Sequence, residues 1–167
     1  LLQLSTPKDF LNKTHSCQRN PVITCLEVTD VVASFVADPF LFVEDDDASN
    51  PWYAFFEVKN TNQSLHRRHG QIGAAVSTDQ GVSWKYLSIV VAAAWHLSYP
   101  FVFKHEGKIF MMPQGKSISY FEATDFPLKW KFHSIVHNRV LNDATMVQYN
   151  SKWWLFAIHE PNSNKNN

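Results

Sequence analysis

Three short segments place a polar or ionisable side chain immediately before an apolar run: Ala37-Asp38-Pro39, Ser98-Tyr99-Pro100 and Asn142-Asp143-Ala144. At the far end of each partner run stand Glu57, Gln114 and Ile158, with His159 beside the last. If these runs are equivalent strands that start near one mouth, Asp38 and Asp143 present two carboxylates to a common axis. Hydrolysis of a glycosidic bond needs such a pair, one acid to protonate the leaving oxygen and one base or nucleophile. The competing reading is local, with each Asp bonding to backbone amides of the turn that leads into its strand. Trp95-His96-Leu97-Ser98-Tyr99 adds an aromatic ring, an imidazole and a phenol ahead of the second of these strands. Aromatic faces stack on the C–H faces of sugars, and imidazole donates to or accepts from hydroxyls. The bland alternative is that Trp95 and Tyr99 pack between sheets. The candidate catalytic residues are therefore Asp38 and Asp143, and the candidate glycan-binding set is Asp38, Glu57, Trp95, His96, Tyr99 and Asp143.

Other chemistry is less well supported. Asp45-Asp46-Asp47 has the D-x-D form that holds divalent metals in some sugar-nucleotide transferases, but it falls where a hairpin turn is expected, and turns favour Asp for local reasons. His66 and His69 flank Arg67-Arg68 in what reads as a solvated basic connection, and the eight histidines show no metal-ligand spacing. No metal site and no cofactor are expected. No phosphate-binding loop, nucleophile elbow or Cys/His pair is present.

The elements that must position these residues repeat along the chain. Pro39 to Val43 turns back into Trp52 to Glu57; Pro100 to Lys104 turns through His105-Glu106-Gly107 into Lys108 to Gln114; Ala144 to Gln148 turns through Asn150-Ser151 into Lys152 to Ala157. The first two hairpins are each followed by a corner. Ser77-Thr78-Asp79-Gln80-Gly81-Val82-Ser83-Trp84 fits S-x-D-x-G-x-[ST]-W, in which Asp accepts from the turn backbone, Gly takes positive φ and Trp opens the next strand. Thr124-Asp125 and Trp130 repeat the frame, with Pro127 where Gly81 stood, so the second turn must differ in type. Two strands, a connection, a third strand, an Asp corner and a fourth strand make a four-stranded antiparallel unit of the size of a propeller blade. The expectation is all-β: a partial propeller of about two and a half blades, at about 37–90, 98–136 and 142–159, within a domain at 20–159. An irregular segment at 1–19 precedes it and a polar tail at 160–167 follows. Asn20 to Val28 reads as a lead-in strand, and Ala92 to Trp95 as a short helical turn.

Composition bounds the partners. Lys and Arg total 15 and Asp and Glu total 15, so nothing marks a nucleic-acid or anionic-membrane surface. The apolar stretch from Ile89 to Trp95 is too short to span a bilayer, and neither a signal-peptide pattern nor an initiating Met is present, so the chain reads as part of something longer. Cys17 and Cys25 leave a disulfide and a buried thiol equally open. The sequons at Asn12 and Asn62 are compatible with a lumenal location. Half a ring leaves apolar faces uncovered, so the isolated chain is expected to be marginally stable or to aggregate.

Phe35-Val36-Ala37-Asp38-Pro39-Phe40-Leu41, Gly70 to Asp79, Trp95 to Phe103, Met111-Met112-Pro113, Asp125 to Trp130 and Lys152 to Phe156 together resemble the N-terminal domain of plant-type glucosamine inositolphosphorylceramide transferases over about residues 20 to 158. The resemblance implies a five-bladed, furanosidase-like propeller in the Golgi lumen, tethered and followed by a transferase domain that this sequence lacks. It also implies that Asp38 is the counterpart of the furanosidase-type base. The family pattern carries Glu where this chain has Gln114, and Gly-Ser-Asp where it has Ala157-Ile158-His159. On that basis the chain is expected to bind a glycan or glycolipid head group without catalysing transfer itself. The alternatives are a furanosidase-like hydrolase and a fragment with no independent function.

Overall fold

The computed structural model describes residues 21–44, 49–61 and 69–159. Ten strands build three separate antiparallel sheets. The first contains β1 (Ala33–Val43), β2 (Trp52–Asn60), β3 (Gly70–Ser77) and β4 (Lys85–Val91) in that order. The second contains β5 (Ser98–His105), β6 (Lys108–Gln114), β7 (Ile118–Asp125) and β8 (Lys129–His137), again in sequence order. The third is the hairpin β9 (Asn142–Tyr149) and β10 (Lys152–Ile158). The triplet Asp45-Asp46-Asp47, Cys17, the basic loop through His66, both sequons at Asn12 and Asn62, the 1–19 segment and the 160–167 tail lie outside the described residues.

Side-chain alternation stacks the sheets into layers. On β2, Phe55 points into a cluster with Phe42, Ile72, Ala74, Leu97 and Met111, between the first and second sheets. Its neighbours Ala54, Phe56 and Val58 point the other way, into a cluster with Val28 and Ala75. This is the period of two that a strand buried on both faces must show. Met112, one residue on from Met111, faces the opposite side and packs with Ile118 and Ala144 between the second sheet and the hairpin. The Asp79 corner and the Glu57 end of β2 are at opposite ends of β3, because Ser77 pairs with Trp52 whereas Gly70 pairs with Lys59.

The corners form as the spacing of their residues predicts. Ser77 Oγ donates to Asp79 Oδ1 at 2.7 Å and accepts from the Gly81 amide at 2.8 Å; the Ser83 amide and hydroxyl donate to the two Asp79 oxygens at 2.8 and 2.6 Å. Gly81 has φ of +87°. Trp84 Nε1 donates to the Gly81 carbonyl at 3.1 Å, and Trp130 Nε1 repeats this bond to the Pro127 carbonyl at 2.8 Å. Around Pro127 the turn differs, with a cis Phe126-Pro127 bond, and Asp125 Oδ2 accepts from Lys129 Nζ at 2.9 Å. The Ser83 hydroxyl and then the Ser83 and Ser77 bonds pull the Asp79 carboxyl down to about 2. A depressed acid contributes stability above its unfolded value near ~3.9 and loses it as pH falls through the folded value. Melting curves between pH 5 and pH 2 are expected to fall more steeply for the native chain than for Asp79→Asn, by a margin that added salt reduces because Asp79 is exposed.

Two expectations are corrected. Residues Cys25–Glu27 form a 3₁₀ turn, not a strand, because Thr24 and Glu27 make a capping box: Thr24 Oγ1 accepts from the Leu26 amide, and Glu27 Oε2 accepts from the Thr24 amide at 2.7 Å. Ala92 to Trp95 is an irregular bend with no helical turn, and Leu97 beyond it is pinned by its amide to the Gly70 carbonyl at 2.9 Å.

Candidate functional site

The three polar strand-start residues are structural equivalents. Asp38, Tyr99 and Asp143 have φ of +51°, +47° and +54°, each at an irregularity in the pairing of its sheet's first two strands. Glu57, Gln114 and Ile158 are equivalents too: they pair with Ala37, Ser98 and Asn142, the residues just before the left-handed ones. A left-handed non-glycine residue is uncommon and costly, most of all for Tyr, so its recurrence in all three sheets marks a rim held in place by its surroundings.

Each position is held differently. The Asp143 amide donates to Gln114 Oε1 at 3.1 Å, and Gln114 Nε2 donates to Asn142 Oδ1 at 3.0 Å. Gln114, read from the sequence as a missing carboxylate, is a clamp between the second sheet and the hairpin that uses both ends of its amide. Tyr99 places its hydroxyl 3.3 Å from Thr145 Oγ1 and its ring edge-on to Phe40 at 4.7 Å. Asp38 and Asp143 are exposed, and Glu57 is buried.

Asp38 was paired with Asp143 on sequence grounds, but the acid that senses its charge is Glu57. Burial, and then the negative charge of Asp38, push the Glu57 carboxyl above its ordinary range, with Lys59 opposing. Glu57 Oε1 is shielded from solvent and has no hydrogen-bond partner among the described residues, and it stands 3.7 Å from His96 Nε2. His96 is shifted the other way, downward, by burial and then by the positive charges of Lys59 and His69, with Asp38 opposing. Both shifts disfavour the charged forms, so burial works against an ion pair at this contact.

His96, Trp95, Gln114, Gly115, Lys116 and His69 surround a cavity of about 380 Å³ at this end of the sheets. Trp95 is partly exposed, with Lys116 Nζ 5.8 Å from its ring centroid, a cation–π arrangement. A Cβ on Gly115 would lie 3.1 Å from Trp95 Nε1, so glycine lets the pyrrole edge of the indole come close to the chain. His69, assigned from the sequence to a solvated loop, is half-buried here, and its carbonyl accepts from the Asn60 amide at 3.2 Å. The sequence reading missed His69 and Lys116; the one available signal was their closeness to Gly70 and Gln114. The arrangement offers an aromatic wall, a cation, an imidazole and the Gln114 amide, a combination suited to a polyhydroxy ligand.

Residues 10–167 match the family model described as glucosamine inositolphosphorylceramide transferase 1, N-terminal. Two proteins named glucosamine inositolphosphorylceramide transferase 1 are similar over 143 residues, one from Oryza sativa subsp. indica at 45% identity and one from Arabidopsis thaliana at 42%. In each case the match covers 83% of this chain and 18% of the relative, so the chain spans about a fifth of their length. Solved structures share the fold at low identity. An exo-β-1,3-galactanase of Phanerochaete chrysosporium has a TM-score of 0.59 at 11% identity, covering 77% of this chain and 30% of the enzyme. The GH32 β-fructofuranosidase of Bombyx mori has 0.57 at 16%, covering 83% and 32%. A family 117 glycoside hydrolase of Zobellia galactanivorans has 0.54 at 15%, covering 72% and 46%. The fold is thus all-β and like that of furanosidase-type glycoside hydrolases, and the chain belongs to the N-terminal domain family of glucosamine inositolphosphorylceramide transferases.

Proposed function

We propose that this chain is a glycan-recognition module of a sphingolipid glycosyltransferase, holding a sugar or glycolipid head group at the rim formed by Asp38, Tyr99, Asp143, Trp95 and His96 while a transferase domain elsewhere in a longer protein performs the transfer. The three sheets are blades of a five-bladed propeller, two complete and one half-built, and the module works in the Golgi lumen. One observation carries the reading most directly: the left-handed backbone recurring at Asp38, Tyr99 and Asp143, next to a cavity bordered by Trp95 and His96. Strained polar positions that repeat at one end of a scaffold are where ligand-binding groups are found. Among the described residues no helix is long and apolar enough to cross a membrane, so any tether lies outside them.

A second reading, a furanosidase-like glycoside hydrolase with Asp38 as base or nucleophile, draws on the electrostatic coupling of Asp38 and Glu57. It requires a general acid with access to the glycosidic oxygen. The shielded Glu57 Oε1 has no such access.

The test is Asp38→Asn in the longer protein. Asn tolerates the left-handed conformation, so folding is expected to be unchanged, while glycan binding or product formation falls roughly tenfold, about 1.4 kcal/mol. Unaltered binding would make Asp38 a turn-former only. Sugar release by the chain alone, abolished by the same substitution, would favour the hydrolase.

A further inference from the structure

We infer that Glu57 is a positioning residue: together with the Gly70 amide at the neighbouring ring nitrogen, it fixes the His96 imidazole in a single tautomer and orientation at the wall of the cavity. The Gly70 amide donates to His96 Nδ1 at 2.9 Å, so that nitrogen carries a lone pair and the proton must reside on Nε2. Nε2 faces Glu57 Oε1 at 3.7 Å. Glu57 is 6% exposed, and this oxygen is a buried acceptor with no hydrogen bond among the described residues; Nε2, at 3.7 Å, stands just beyond hydrogen-bond distance. His96 thus meets an N–H at Nδ1 and a carboxyl oxygen near Nε2, on either side of Cε1.

Gly70 is what lets the three groups come together. A Cβ there would stand 2.3 Å from the Leu97 carbonyl oxygen, 2.6 Å from Glu57 Oε1 and 2.7 Å from His96 Cε1. Nothing larger than hydrogen fits between the strand and the imidazole, and the Leu97 amide bond to the Gly70 carbonyl at 2.9 Å ties the His96 segment to the same residue. The charged and titratable groups acting on the pair come from several segments: Asp38 on β1, Lys59 on β2 and His69 before β3. Burial holds Glu57 toward its neutral form, and its proton is lost above the ordinary carboxylate range. The consequence for ligand selection rests on the proposed rim. With Nδ1 occupied and Nε2 directed inward, His96 contributes its ring face and C–H edge to the cavity, a stacking surface beside Trp95, and does not accept hydroxyl hydrogen bonds.

The clamp is testable without any ligand, so its failure is separable from failure of the glycan reading. With ¹⁵N- and ¹³C-labelled histidine in the 167-residue chain carrying Trp154→Lys and Phe156→Lys to keep it dispersed, long-range ¹H–¹⁵N correlation reads the His96 tautomer, and its Cε1–H shift is followed against pH. The native chain is expected to show the Nε2–H tautomer and an inflection above the ordinary carboxylate range that disappears in Glu57→Gln. Because Gln keeps the size and polarity of Glu and removes its titration, Glu57→Gln keeps the tautomer and the fold, whereas Glu57→Leu broadens or moves the His96 signals. An Nδ1–H tautomer in the native chain, or His96 signals that respond identically to pH in the native chain and in Glu57→Gln, overturns the inference.

Discussion

The 167-residue chain on its own is expected to self-associate, and the seat of that association is β10. All seven residues of this strand are exposed, among them Trp154, Phe156 and Ile158 at 50%, 60% and 55%. Its counterparts β2 and β6 are bonded on both sides, whereas among the described residues β10 pairs with β9 alone. The strand carries one charge, Lys152 at its start, and no proline, so it lacks the usual devices that keep an open edge from pairing. Its two faces differ. Trp153 packs on Phe103 and His105 of the second sheet, with ring centroids 5.6 and 5.3 Å away. The alternate residues Trp154, Phe156 and Ile158 face away from that sheet. Sedimentation or light scattering is expected to find oligomers, and Trp154→Lys with Phe156→Lys to raise the soluble concentration by about tenfold or more. A native chain that stays monomeric and melts cooperatively would show that the third sheet needs no cover.

The features legible in the sequence were those set by local interactions. The Ser77 to Trp84 corner closes through bonds no more than four residues long, and its residue types predict each of them. Equivalence of Asp38, Tyr99 and Asp143, and of Glu57, Gln114 and Ile158, was readable because hairpins repeat with fixed alternation. The local signal was misjudged at Thr24, where a run of β-branched residues outweighed a Thr-x-x-Glu box that set the backbone. What the sequence did not disclose depends on residues far apart in the chain. Burial of Glu57 arises where the Gly70 amide meets an imidazole 26 positions away. The use made of Gln114 appears only when Asn142 and Asp143 of another sheet arrive at its amide. Side-chain type indicates what chemistry is available, and long-range approach decides which of it is free for a ligand.

Phe55→Ala is expected to be the most damaging single substitution in the described core. Phe55 has no exposed surface, and its ring meets Trp130 edge-on at 5.6 Å and Phe126 at 6.0 Å. Those partners belong to the corner of the second sheet, so Phe55 joins the first sheet to the element that closes the second. Removal of the ring leaves a cavity between two sheets whose backbones are fixed by their own ladders, which limits collapse around the void. Phe-to-Ala changes at such sites cost about 3–5 kcal/mol, against a total of roughly 5–15 kcal/mol for an ordinary domain. A chain whose third sheet has two described strands begins near the lower bound, so in the soluble Trp154→Lys, Phe156→Lys background the variant is expected to lose its cooperative denaturant transition altogether. The same experiment on Phe132→Ala provides the contrast: Phe132 is 51% exposed on β8, and its loss is expected to shift the midpoint by less than about 1 kcal/mol. Equal sensitivity at the two positions would mean that the contact between the sheets does not organise this core.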